Sequence, residues 1–187
     1  MRPSPADAAA IEQILRFWFE ELTPEDWFKV DEARDAGIGR RFGRIYQQLA
    51  AGVPPDWLGG PDGFLAAILV LDQFPRNMFR GTPRAFATDA AALDLAKLAI
   101  AEGTDMRVPP ERRAFIYMPF QHAEDRADQA RSVELFTALG NQLNLDFAIR
   151  HKQVVDRFGR FPHRNAILER ETTKEEAAFL KEPGSSF

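Results

Sequence analysis

Apolar residues recur at helical spacing along almost the whole chain. Ile11, Ile14, Leu15, Trp18 and Leu22 fall on one helical face. Ser4-Pro5 precedes them, an N-cap residue followed by proline at the first helical position. Thr23-Pro24-Glu25-Asp26 repeats that signal and predicts a short second helix carrying Trp27 and Phe28. Residues 31–50 are charged, with anchors at Ile38, Phe42, Ile45 and Leu49, so one side of that helix should face water. Residues 63–72 are apolar all round and rich in alanine. They predict a helix buried on most sides, because no hairpin partner exists for a strand. Further helices are expected over 88–102, ending at Gly103, and over 109–118, 122–142 and 144–158. Thr173-x-x-Glu176 is a capping box that opens a last helix towards Leu180.

No stretch alternates apolar and polar residues as a half-buried strand does. The expectation is an all-α chain of about eight to ten helices, joined by short loops that favour stacked antiparallel pairs. No strict 34-residue repeat is visible. The Gly- and Pro-rich loops at 51–62 and 103–110 are too short for linkers. One domain over 1–187 follows, with 1–6 and 182–187 as frayed tails.

Composition narrows the class. The chain has 187 residues, 45% hydrophobic and 28% charged, which excludes disorder. Its net charge of −4 offers no general attraction to nucleic acid or an anionic membrane. No cysteine is present, which excludes disulfides, thiol catalysis and iron–sulfur clusters. The longest uncharged apolar run, Gly63 to Leu71, falls far short of the ~20 residues that span a bilayer. With no export signal at the start, the expected location is the cytoplasm. No phosphate loop, dinucleotide fingerprint or serine elbow appears, and no cofactor is expected.

The chemistry concentrates in three blocks. They are Leu71–Gly81 (LDQFPRNMFRG), Met118–Gln129 (MPFQHAEDRADQ) and His151–Asn165 (HKQVVDRFGRFPHRN). The last two hold the chain's only histidines: His122, His151 and His163. Phe74-Pro75-Arg76-Asn77 and Phe161-Pro162-His163-Arg164-Asn165 echo each other. Each reads as an extended residue before proline and then a helix start. Unpartnered amides and the helix dipole at such a start favour a phosphate or carboxylate, and the adjacent arginines add to that.

Two readings compete. In one, the acids Glu124, Asp125 and Asp128 pair with Lys152, Arg157, Arg160 and Arg164 to lock the fold. In the other, the blocks line a cleft for an anionic small molecule. That cleft would hold Arg76, Asn77, Arg80, His122, Glu124, Arg157, Arg160, His163, Arg164 and Asn165. Arginines would clamp the anion and Asn77 and Asn165 would orient it. If a reaction occurs, as in a hydrolase or transferase, His163 or Glu124 is the candidate general base. The positive field around His163 should keep it neutral. His151 shares the apolar stripe of Phe147, Val154 and Phe158, and reads as a hydrogen-bonded core residue. His122 with Asp125, and Glu124 with Asp128, make only a weak metal pattern, and no metal is assigned. A third reading is an interaction scaffold, which predicts an exposed apolar groove away from the charged blocks.

These blocks, above all HKQVVDRFGRFPHRNAILERETTKEE, resemble the bacterial family called domain of unknown function 924. The early FWFEE and the DWL at 56–58 fit it too, and the resemblance spans about residues 11–180. It implies an all-helical fold similar to tetratricopeptide (TPR-like) superhelices and brings no established activity. Two departures stand out. His122-Ala123-Glu124-Asp125 replaces a His-Ser-Glu-Asp pattern, and Leu168-Glu169-Arg170-Glu171-Thr172-Thr173 replaces Leu-Gly-Arg-Glu-Ser-Thr. Both keep the charged residues, and the second keeps a threonine cap.

Overall fold

A computed structural model describes residues 3–186 of the chain. It is all-helical, with no strand among the described residues. The chain divides into two compact units. The first comprises Met1–Arg80 and Arg84–Pro119, and the second Gly81–Pro83 and Phe120–Phe187.

The first unit opens with α1 (Pro5–Arg16), where the Ser4 hydroxyl accepts the Asp7 N–H. Pro5 and Ala6 therefore belong to a capped helix and not to a frayed tail. Residues 1, 2 and 187 of the expected tails lie outside the described residues. A π-helical segment, Phe17–Glu21, continues α1 and buries Phe17 and Trp18. The expected helix at Thr23 is a turn instead. The Thr23 hydroxyl and amide both donate to Asp26, at 2.7 and 2.9 Å, so the side chain closes a turn instead of capping a helix. Asp31 is the real cap, accepting from the Arg34 amide at the head of α2 (Glu32–Ala51). Its buried stripe is Ile38, Phe42, Tyr46 and Leu49. Tyr46 takes the inward position expected of Ile45, which is half-exposed.

The apolar block forms α3 (Pro61–Ile68), a π-helical segment (Leu69–Gln73) and α4 (Phe74–Met78) in unbroken succession. Phe74 is helical (φ −60°, ψ −39°), so the extended residue and helix start expected at Phe74-Pro75 do not occur. The reason is local. Pro75 has no N–H for the Leu71 carbonyl four residues back. That carbonyl instead accepts the Thr88 hydroxyl at 2.6 Å, and the Asp72 carbonyl accepts Arg76 Nη1 at 2.5 Å. With its carbonyls satisfied from the side, the helix runs through the proline. Then follow α5 (Asp89–Ala101), whose chain reverses at Gly103 (φ 66°), and α6 (Pro110–His122). An aromatic core of Trp18, Phe42, Phe74 and Phe115 fills this unit, with Phe42 and Phe74 rings 5.0 Å apart.

The second unit is built on a helix hairpin. Asp125 caps α7 (Arg126–Leu139) by accepting the Ala127 and Asp128 amides. Gly140, left-handed at φ 78°, turns the chain into α8 (Gln142–Phe158), capped by Asn141. The buried Gln129 amide donates to the Phe120, Gln121 and Ala123 carbonyls, closing the open end of α6. After Gly159, Phe161 is extended (φ −93°, ψ 106°), as expected of a residue before proline. Pro162–Arg164 then forms one 3₁₀ turn in place of a longer helix. The capping box at Thr173 and Glu176 is present and opens α9 (Lys174–Phe179). The expected loose tail folds back: Ser185 is buried, its hydroxyl donating to the Leu180 carbonyl. No helix among the described residues is long and apolar enough to cross a membrane.

One backbone position carries strain. Glu169 sits at φ 54°, in the left-handed region where a Cβ meets the carbonyl oxygen. Glu169→Gly should stabilise the chain by up to ~1 kcal/mol. A urea midpoint that falls on this substitution would show that the strain is not relieved.

Candidate functional site

Arg76, Asn77 and Arg80 belong to the first unit, and His122, Glu124, Arg157, Arg160, His163, Arg164 and Asn165 to the second. In the first unit, Arg76 binds Asp89 in bidentate fashion at 2.8 and 2.9 Å, and its Nη1 lies 3.3 Å from Asp72. Burial works against the Arg76 charge, yet Asp72 and Asp89 hold its pKa above the ordinary value. Asn77 donates to Asp35 at 2.9 Å, and Arg80 Nε donates to the same carboxylate at 3.0 Å. The expected anion clamp is thus already joined to carboxylates of the fold. Asp35 and Asp89 carry no motif signal, since each is one unremarkable acid in a helical stretch, whereas Asp72 lies inside the first block itself.

In the second unit, Glu124 is the centre of the network. Its Oε1 accepts the Phe161 amide at 2.7 Å and Arg170 Nη2 at 3.0 Å, and its Oε2 accepts Arg170 Nη1 at 2.6 Å. Burial pushes the Glu124 carboxyl up, but Arg170 and the Phe161 N–H outweigh it and leave its pKa below the usual range. Arg170 also donates to Asn165 Oδ1 and the Phe161 carbonyl, which ties the two sides of the 3₁₀ turn together. Asn165 donates to Glu176 at 3.3 Å. Arg160 binds Glu176 in bidentate fashion at 2.7 and 2.9 Å. That pairing first, and the Thr173 cap after it, draw the Glu176 pKa down to about 2. Arg157 reaches Glu175 through an exposed contact, worth little to stability.

The pairing of acidic with basic residues expected from the sequence therefore exists with different partners. Glu124 finds Arg170, while Asp125 caps α7. Arg170 and Glu176 are members of this ion-pair network that lie outside the charged blocks. Glu176 could have been found from the capping box. Arg170 lies 46 positions from its partner, in a stretch with no special spacing.

His151 and His163 flank Phe161, and His122 stands beside His151. The His151 ring lies 5.5 Å from Phe161 and 6.4 Å from His122, and His163 lies 5.7 Å from Phe161. The Arg164 guanidinium sits 4.6 Å from the Phe161 centroid and donates to the His122 carbonyl at 3.1 Å. His151 is buried, and its Nδ1 donates to the Phe147 carbonyl at 2.8 Å, leaving Nε2 as the acceptor of the neutral ring. Burial first, then the neighbouring His122 and Arg164, push His151 to about 3. Burial and the Arg164 charge push the half-buried His163 to about 4, against a smaller opposing pull from Glu124. Both imidazoles are neutral at pH 7. No group of three or more acidic or histidine side chains placed to hold a metal occurs among the described residues.

These features define an all-helical protein with ion-pair networks in each unit and a histidine–arginine cluster in the second. The chain belongs to the family described as bacterial protein of unknown function (DUF924), whose model matches residues 14–184. It is similar to a protein of unknown function, ATU0120, from Agrobacterium tumefaciens, at 45% identity. That match covers 93% of this chain and 98% of the other, with a TM-score of 0.89. No curated protein matches the chain.

Proposed function

We propose that this protein binds a small molecule through a carboxylate or phosphate group, seated in the second unit at His122, His163 and Arg164. What supports the reading is the cluster formed by His151, His163 and Arg164 at Phe161, with His122 beside His151 and bonded through its carbonyl to Arg164. Arg164 supplies a fixed positive charge, and a neutral imidazole beside it can donate to an anion oxygen. Arg160, Asn165, Glu124 and Arg170 hold the turn that carries His163 and Arg164. Arg76, Asn77 and Arg80 do the same kind of bracing in the first unit, so they drop out of the proposed ligand contacts.

A hydrolase or transferase reading draws less support. Glu124 has both oxygens engaged, and an imidazole with a pKa near 4 is a weak base at neutral pH. The test is a titration with orthophosphate and, separately, citrate, followed by imidazole NMR and thermal shift. His122 and His163 signals should move together and saturate. Ligand at one hundred times its Kd should add ~2.7 kcal/mol of stability. His163→Asn should lose the response while keeping the helical circular dichroism. Imidazole signals unmoved by either anion would overturn the proposal.

A further inference from the structure

A groove of about 490 Å³ opens in the first unit, lined by no residue of the three charged blocks, and its size falls in the range of small-molecule sites. Its apolar wall comes from Ile11 and Leu15 of α1 and from Trp57. The wall is preformed. The Trp57 indole N–H donates to Asp7 at 2.9 Å. On the other side the Trp57 carbonyl packs against Gly63, where an added Cβ would lie 1.7 Å from that oxygen. Only glycine at 63 lets the Trp57 turn sit so close to α3.

The groove carries both signs of charge. Arg112 of α6 borders it, half-buried, with its guanidinium 4.7 Å from the Phe19 ring centroid. The π-helical segment presents Phe19 for that contact, and such segments recur at functional sites. No carboxylate or hydrogen-bond acceptor among the described residues engages Arg112, although a half-buried guanidinium has five N–H donors to satisfy. The groove's other arginine, Arg16, is directed to Glu21 at 3.5 Å. Glu12 and Asp56 border the same groove and likewise have no ion-pair or hydrogen-bond partner among the described residues. An apolar wall, one available guanidinium and available carboxylates suit a ligand that carries a carboxylate, an ammonium and an apolar body.

We infer that this groove binds a zwitterion of the amino-acid type with apolar side chains, an amino acid or a dipeptide. Arg112 takes the carboxylate in bidentate fashion and the acidic side takes the ammonium. Ile11, Leu15 and Trp57 cover the side chains. The site is independent of the anion site proposed in the second unit.

Calorimetric titration of the full chain with leucyl-leucine, its C-terminal amide, its N-acetyl form and free leucine tests this. The dipeptide should bind saturably, with the amide and the N-acetyl form each at least ~10-fold weaker, as loss of one charge-assisted contact implies. Arg112→Gln should bring dipeptide and amide to equal affinity, and Glu12→Gln with Asp56→Asn should do so for dipeptide and N-acetyl form. These exposed or half-exposed changes leave the core untouched, and unchanged circular dichroism verifies that. Leucine as tight as the dipeptide assigns the site to a free amino acid. Leucine ~10-fold weaker assigns it to a dipeptide. Equal affinity for all three dipeptide forms, or no saturable heat with any of them, overturns the inference.

Discussion

Arg170→Met should destabilise the second unit by ~3 kcal/mol, the cost of breaking one partner of a largely buried ion pair. Glu124 and Arg170 side chains are 24% and 22% exposed, so solvent replaces little of what is lost. The substitution leaves the Glu124 carboxylate with the Phe161 amide as its remaining partner from this network, and it removes the donors to Asn165 and the Phe161 carbonyl. Adding Glu124→Gln to Arg170→Met should recover part of the loss. The double variant would then fall short of the sum of the singles by ~1–3 kcal/mol. All three tryptophans, at 18, 27 and 57, lie in the first unit. Urea unfolding should therefore be followed by far-ultraviolet circular dichroism, with tryptophan fluorescence reporting the first unit alone. Additive single and double variants would mean that the pair contributes nothing as a pair.

Acid should weaken the protein well before its carboxylates titrate. His151 at about 3 and His163 at about 4 both lie below the ordinary 6.5. The unfolded chain thus binds protons that the folded chain refuses. Stability is complete above pH 6.5 and falls as the pH drops towards 4 and then 3. Between pH 7 and pH 5 the two histidines together should remove ~4 kcal/mol, since each pKa unit is worth about 1.4 kcal/mol. Below 4.5 Glu176, held at about 2 by Arg160, and the depressed Glu124 add their own losses. Urea midpoints measured from pH 7.5 to 5 would reveal the slope. His163→Asn should reduce it by close to half. A flat profile over that window would mean that the imidazoles are hydrated and protonatable in the folded chain.

The same cluster links stability to the proposed function. An anion placed beside Arg164 offsets the positive field that, after burial, depresses His163. Binding should then raise the His163 pKa and draw a proton from solution. The acid sensitivity and the anion titration are therefore two views of one electrostatic balance.

Local chemistry determined much of this protein from the sequence alone. Helical spacing, the Ser4 and Thr173 caps and the Gly103 reversal involve groups within a few residues of one another, so their outcome needs no distant partner. The misread elements were those whose hydrogen-bond partners lie elsewhere in the chain or admit two local solutions. Thr23 closed a turn on Asp26 where a cap was equally possible. Phe74-Pro75 stayed helical because Thr88, thirteen residues beyond Pro75, took the orphaned Leu71 carbonyl. Charge partnering was the least legible of all. An arginine's type and position say that it needs a carboxylate, but every acid within reach is chemically equivalent until the backbone brings one to 3 Å. Only the tertiary structure chose Asp89 for Arg76 and Arg170 for Glu124, and only it brought His151 and His163 to Phe161 and His122 to His151.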